Sequence, residues 1–169
     1  MPGRRRSLPA VLALSLAGCD LSRAPSAMSA AEAAAIADSA RVFAESVAAG
    51  VSQRGPAAWR TYFADTAAFF MADNGRLVFS SGEAATRGIR DLEQMIAHIE
   101  LTWGDSPRIE ALAPGLAMVA ASWHEVLVDR AGKTVRDSGF FTGLAQHRAS
   151  GWQFRNAHWS ELTAPSSAP

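Results

Sequence analysis

The chain predicts an α+β domain, with helices first and one long antiparallel sheet after them. Three observations predict it. Apolar residues recur at helical spacing through the first half of the chain. From Leu101 onward the sequence breaks into four β-rich runs. The turns between those runs are short, and short turns force neighbouring strands to run antiparallel. Such an order places the helices as a layer on one sheet face.

The elements follow in order. Ser29 and Glu32 form a capping box, Ile36, Ala40, Phe43 and Val47 share a helical face, and Gly50 is placed to end this first helix. Gly55-Pro56 opens a shorter helix that carries Trp59, Tyr62 and Phe63. Residues 66–72 read as a strand, Asp73-Asn74-Gly75 as its turn, and residues 76–80 as the returning strand. A helix is expected over 84–99, where Ile89, Leu92, Ile96 and Ile99 share a face. The β-rich runs are 101–112, 116–129, 134–147 and 152–162, divided by Ala113-Pro114-Gly115, by 129–133 and by Ala149-Ser150-Gly151.

The ends of the chain read differently. Arg4-Arg5-Arg6, an apolar run from Leu8 to Leu16 and the small residues before Cys19 have the layout of a secretory signal over 1–18. The apolar run is far shorter than the roughly 20 residues a membrane-spanning helix needs. Cys19 is the only cysteine, so it has no internal disulfide partner. Leu16-Ala17-Gly18-Cys19 resembles the lipobox of bacterial lipoproteins. That resemblance implies a lipid on Cys19, a membrane anchor rather than a span, and a place in the bacterial cell envelope on the periplasmic side or the cell surface. Residues 19–28 are expected to tether the lipid to a domain over 29–162, and 163–169 to form a frayed tail.

Charge removes one class of partner. Lys+Arg and Asp+Glu both number 16; without Arg4, Arg5 and Arg6 the balance is 13 against 16, or −3. A nucleic-acid-binding domain would carry a basic excess, so no nucleic-acid partner is expected.

Local marks then point to a family. They are Tyr62-Phe63-Ala64-Asp65 entering the first strand, Gly88-Ile89, Ala117-Met118-Val119 after a Pro-Gly turn, and Gly151-Trp152 with His158-Trp159-Ser160 at the end. Their order and spacing over about residues 30–162 resemble the nuclear-transport-factor-2-like (NTF2-like) superfamily, within it the SnoaL-like and DUF4440 groups. The resemblance implies a cone: a curved antiparallel sheet packed by the N-terminal helices around a mostly apolar pocket. Members isomerise, cyclise, dehydrate or only bind, and they commonly dimerise through the open sheet face, so fold alone does not give function. The closing strand is also similar to the association domains of calcium/calmodulin-dependent kinases. Their pocket arginines fall at the positions of Trp123, Gly143 and Trp159. That comparison implies a pocket which has lost positive charge and gained two indoles, suited to a flat or greasy neutral ligand.

Strand alternation sorts the candidates. On 116–129 one face carries Met118, Ala120, Ser122, His124 and Val126, the other Val119, Ala121, Trp123, Glu125 and Leu127. On the last run Trp152, Phe154, Asn156, His158 and Ser160 oppose Gln153, Arg155, Ala157, Trp159 and Glu161. Tyr62, Trp103, Trp123, Phe141 and Trp159 are the expected ligand-pocket residues, with Trp159 facing the cone and His158 facing away. The same indoles would serve equally as core or subunit interface. Asp65, His124 and His158 are the candidate acid–base groups; each also has a structural role open to it, as a cap or a hydrogen-bonded strand residue. Tyr62 could donate to a carbonyl oxygen. No nucleophile elbow, phosphate loop or metal-spaced histidine pair is present, and no cofactor or metal is expected.

Three functions fit these residues. The first is an envelope-tethered domain that binds a small, mostly apolar or planar molecule and acts as a homodimer. The second is a cofactor-free isomerase, dehydratase or cyclase using Asp65, His124 or His158. The third is a structural oligomerisation module.

Overall fold

The computed structural model describes residues 28–162. The expected signal over 1–18, the lipid site Cys19, nearly all of the tether and the tail 163–169 lie outside the described residues. Among the described residues, no helix is long and apolar enough to cross a membrane.

Helix α1 spans Ala30–Arg54. Ser29 Oγ accepts from Glu32 N at 3.2 Å, and Glu32 Oε2 accepts from Ser29 N at 2.9 Å, closing the capping box. Gly50 does not end the helix. It lies inside it, where a Cβ would stand 2.0 Å from Tyr62 Oη. The end comes at Gly55, whose φ of +72° suits glycine. A short 3-10 turn, Pro56–Ala58, then leads into α2, Trp59–Tyr62.

The hairpin of β1 (Phe70–Asp73) and β2 (Arg76–Phe79) turns on Asn74 and Gly75, both at positive φ. Residues 66–69 are not strand: Phe69 N and Gly82 N both donate to Thr66 O in a turn. Helix α3 spans Gly82–Met95, capped by Ser81 Oγ. It is shorter than its apolar periodicity suggests. Ile96 and Ile99 begin β3 (Ile96–Trp103), which pairs antiparallel with the far half of β5. Pairing with a long central strand overrides a helical spacing that these β-branched residues could satisfy only weakly.

The single run expected over 101–112 is divided by residues 104–107. β4 (Arg108–Ala113) continues along the same edge of β5 (Leu116–Asp129) that β3 occupies. β6 (Thr134–Arg148) and β7 (Gly151–Glu161) complete a sheet of order β2-β1-β7-β6-β5-β3, with β4 also on β5. β1 runs parallel to β7, and the other pairings are antiparallel.

Helix α1 covers the inner sheet face. Ala40, Phe43, Ala44, Val47, Ala48 and Val51 are buried at helical spacing. Polar links pin the helix to the sheet: Ser52 Oγ accepts from Leu101 N at 2.9 Å, Trp103 Nε1 donates to Ala44 O at 2.8 Å, and Trp152 Nε1 donates to Ser39 Oγ at 2.9 Å. Phe69, Phe141 and Phe154 are fully buried, and Phe154 packs on Phe43 of this helix.

One irregularity decides which residues face inward. The pairing of β6 with β7 slips between Leu144 and Ala145, so Leu144 opposes Asn156 while Ala145 opposes Phe154, and Arg155 is the extra residue. This bulge exchanges the faces of β7. Phe154 joins Ala157 and Trp159 on the inner side, rather than sharing a face with Asn156 and His158 as unbroken alternation predicts.

Candidate functional site

A cavity of about 360 Å³ opens between α3, the β1–β2 hairpin and the inner faces of β5 and β7. Its roof is α3, which contributes Ile89, Leu92 and Met95. Gly88 sets how closely that roof approaches: a Cβ there would meet Phe79 Cε1 at 2.2 Å. Phe79 therefore packs directly onto the helix backbone. Met71 and Val78 close the hairpin side, and Phe63 the inner end.

The walls are indoles. Trp59, Trp123 and Trp159 all line the cavity. Trp159 is their hub, meeting Trp59 at 5.6 Å and 85° and Trp123 at 5.4 Å and 77°. Behind it stand Phe141, with centroids 4.6 Å apart, and Trp103, stacked at 6.2 Å with planes 12° apart. Edge-to-face indole contacts of this kind fix ring orientation beyond simple burial. Trp123 is 4% exposed, and its Nε1 is buried with no hydrogen-bond partner.

Three carboxyls share this largely apolar space: Asp73 at the end of β1, Glu125 on β5 and Glu161 at the end of β7. Asp73 is held against β7 by its neighbour Asn74, whose N–H donates to Trp159 O at 3.1 Å and whose Oδ1 accepts from Glu161 N at 2.8 Å. Glu125 follows Trp123 by two residues on the same strand face and pairs with Asp137 across the ladder. Burial pushes the Glu125 carboxyl up to about 7, and repulsion from Asp137, Asp73 and Glu161 adds to the rise. Asp73 is also raised by burial, with His158 opposing. The ion pairs among the described residues are Arg60–Glu93 and Arg87–Glu83, neither at this site. No cationic side chain lines the cavity.

Of the expected pocket residues, Trp123 and Trp159 line the cavity, while Trp103 and Phe141 support Trp159 from behind. Tyr62 is elsewhere: its hydroxyl donates to Ser46 O at 2.8 Å and accepts from Arg54 Nη2 at 3.0 Å, buried between α1 and α2. The acid–base candidates do not enter the cavity. His124 and His158 are exposed on the outer sheet face, because their inward-facing neighbours are Trp123, Glu125 and Trp159. Asp65 is exposed at the end of the second helix and borders a separate hollow of about 230 Å³ beside Arg60 and Gly82. The carboxyls that line the cavity are instead Glu125, Asp73 and Glu161. Alternation carries the signal for two of them, since Glu125 shares the face of Trp123 and Glu161 that of Trp159. Among the described residues, no group of three or more His, Cys, Asp or Glu is arranged to hold a metal ion.

Solved structures share this architecture. An NTF2-like superfamily protein from Salmonella enterica serovar Typhimurium LT2 superposes with a TM-score of 0.62 at 13% identity, over 80% of this chain and 99% of its own. The fold is the NTF2-like cone. A protein from Streptomyces avermitilis, described as a dehydratase of the NTF2-like family, gives a TM-score of 0.63 at 12% identity, over 78% and 99% of the two chains. A type 2 hexachlorocyclohexane dehydrochlorinase gives 0.55 at 13%, over 80% and 93%. No family model matches the sequence, and no curated protein matches it. In this NTF2-like cone the cavity lies between helix α3 and the concave face of the sheet.

Proposed function

We propose that the chain binds a small, planar, mostly apolar molecule in its cone. The observation that carries this reading is the cavity of about 360 Å³ walled by Trp59, Trp123 and Trp159. Pockets that take small molecules are concave, largely apolar and furnished with a few placed polar groups, as this one is. The reading includes a tether to the bacterial envelope through a lipid on Cys19, supported by Leu16-Ala17-Gly18-Cys19. It also includes a homodimer formed through the outer sheet face, where Phe140 and Met118 are 46% and 37% exposed. Light scattering that reports a monomer at tens of micromolar would remove the dimer. Native mass spectrometry of the purified protein tests the binding itself. The expected result is a bound small molecule that Trp159→Ala no longer retains, and an empty cavity that also takes up no planar aromatic compound would refute it.

A second reading is favoured by one further observation. The carboxyl of Glu125 stands inside the cavity and exchanges its proton near neutral pH, the condition a general acid–base catalyst needs. On this reading Glu125, rather than Asp65, His124 or His158, carries the acid–base work of a cofactor-free isomerase, dehydratase or cyclase. Folds of the same shape include proteins named as a dehydratase and a dehydrochlorinase. Turnover that Glu125→Gln abolishes, while binding stays intact, would establish catalysis; turnover unaffected by that change would reject it.

A further inference from the structure

Indoles and carboxyls in one cavity do more than hold an apolar ring. We propose, resting on the binding reading above, that the cavity selects a planar organic cation over a neutral molecule of the same shape. The indoles of Trp59, Trp123 and Trp159 meet its ring, and the carboxyls of Asp73, Glu125 and Glu161 meet its charge. The substrate class is thus an aromatic or N-alkylated heteroaromatic ammonium.

The imbalance of charge is the first ground. Three carboxyls border the space, no lysine, arginine or histidine lines it, and none of the three is in an ion pair among the described residues. The charges facing Glu125 are Asp73 from β1, Asp137 from β6 and Glu161 from β7, while His158 on the outer face of β7 acts electrostatically on Asp73 in the opposite sense. From α3 the cavity receives only Gly88, Ile89, Leu92 and Met95, and Arg76, opposite Asp73 in the hairpin, is exposed and outside the lining. Glu125 stands within the hollow, half-buried Asp73 and exposed Glu161 stand at its rim, and the repulsion among them is relieved by a bound cation where a neutral ring does not relieve it. An anion would add to it.

The walls are the second ground. Tryptophan offers the strongest cation–π surface among the side chains, and three indoles set nearly at right angles in succession make a corner around a flat guest.

Three bicyclic probes of matched size read the charge preference directly: 1-methylquinolinium, 1-methylnaphthalene and 1-naphthoate. Equilibrium dialysis of the purified full chain at low salt and about pH 8 should show the quinolinium bound about tenfold tighter than the methylnaphthalene, and the naphthoate weakest. At about pH 5, where Glu125 holds its proton, the preference should shrink to within about threefold, and Glu125→Gln or Glu161→Gln should shrink it at pH 8. The pH comparison uses the unaltered protein and so stands even if a variant fails to fold. Methylnaphthalene bound as tightly as quinolinium at pH 8 would overturn the cation preference and leave the binding reading in place. A preference unmoved by pH and by both substitutions would also overturn it. If the protein holds neither probe, both readings fall together.

Discussion

Trp159 meets Trp123 edge-on, with ring centroids 5.4 Å apart and planes at 77°, and this contact joins β7 to β5 across the intervening strand β6. It fixes the back wall of the cavity and sets Glu125, two residues beyond Trp123, at its side. Trp159 touches four other aromatic rings: Trp59, Trp103, Trp123 and Phe141. No other side chain in the wall has that reach.

Trp159→Ala should therefore weaken a planar aromatic ligand at least about tenfold, from the lost apolar and stacking contact. His158→Ala, on the outer face, should change binding less than about twofold. Titration of both variants with one probe compares them. Binding lost with His158 and retained without Trp159 would contradict the placement of the site.

Gly50→Ala tests the packing of α1 on α2. Alanine normally gains about 1 kcal/mol over glycine inside a helix. Here its Cβ would stand 2.0 Å from Tyr62 Oη, the atom that links Ser46 O and Arg54. Overpacking should outweigh propensity, and urea unfolding should show a net loss of about 1–3 kcal/mol. A more stable variant would show that α1 and Tyr62 separate easily.

That glycine also shows what a sequence carries and what it does not. The capping box at Ser29, the Asn74-Gly75 turn and the order of helices before strands are local signals, and all are found in the structure. Gly50 looks like a stop because its contact with Tyr62 is made across a helix pair. Ile96 and Ile99 continue the periodicity of α3, yet they pair with β5, a partner about thirty residues further along the chain. The bulge at Arg155 has no local mark, and it alone moves Phe154 to the inner face. Asp65, His124 and His158 stand out as acid–base candidates by residue type and place in the sequence. Glu125 rises to about 7 only through burial and three neighbouring carboxylates that the fold assembles.

Cys19→Ser should abolish lipid attachment, because the thioether requires sulfur. Mass spectrometry of the membrane fraction checks it. A serine variant that still partitions with membranes after signal removal would contradict the anchor.

Glu125→Gln should stabilise the protein in alkaline solution. The folded carboxyl is raised to about 7 from 4.5, so between those values the folded state holds a proton that the unfolded chain has released. Its contribution is fully present below about pH 4.5 and is lost as pH rises through about 7. Glutamine removes that loss, by an amount on the order of 2 kcal/mol once solvent at the cavity mouth is allowed for. Thermal unfolding at about pH 8 should show the gain and at about pH 4 should not. Equal stability of the two proteins at both values would contradict it.

The most direct measurement is a carbon-13 NMR titration of the Glu125 side-chain carboxyl, assigned by comparison with Glu125→Gln. A midpoint at about 7 is expected, moving downward when 1-methylquinolinium occupies the cavity, because a nearby cation favours the ionised form. A midpoint near the ordinary 4.5, unmoved by the probe, would contradict a buried carboxyl facing an aromatic binding site.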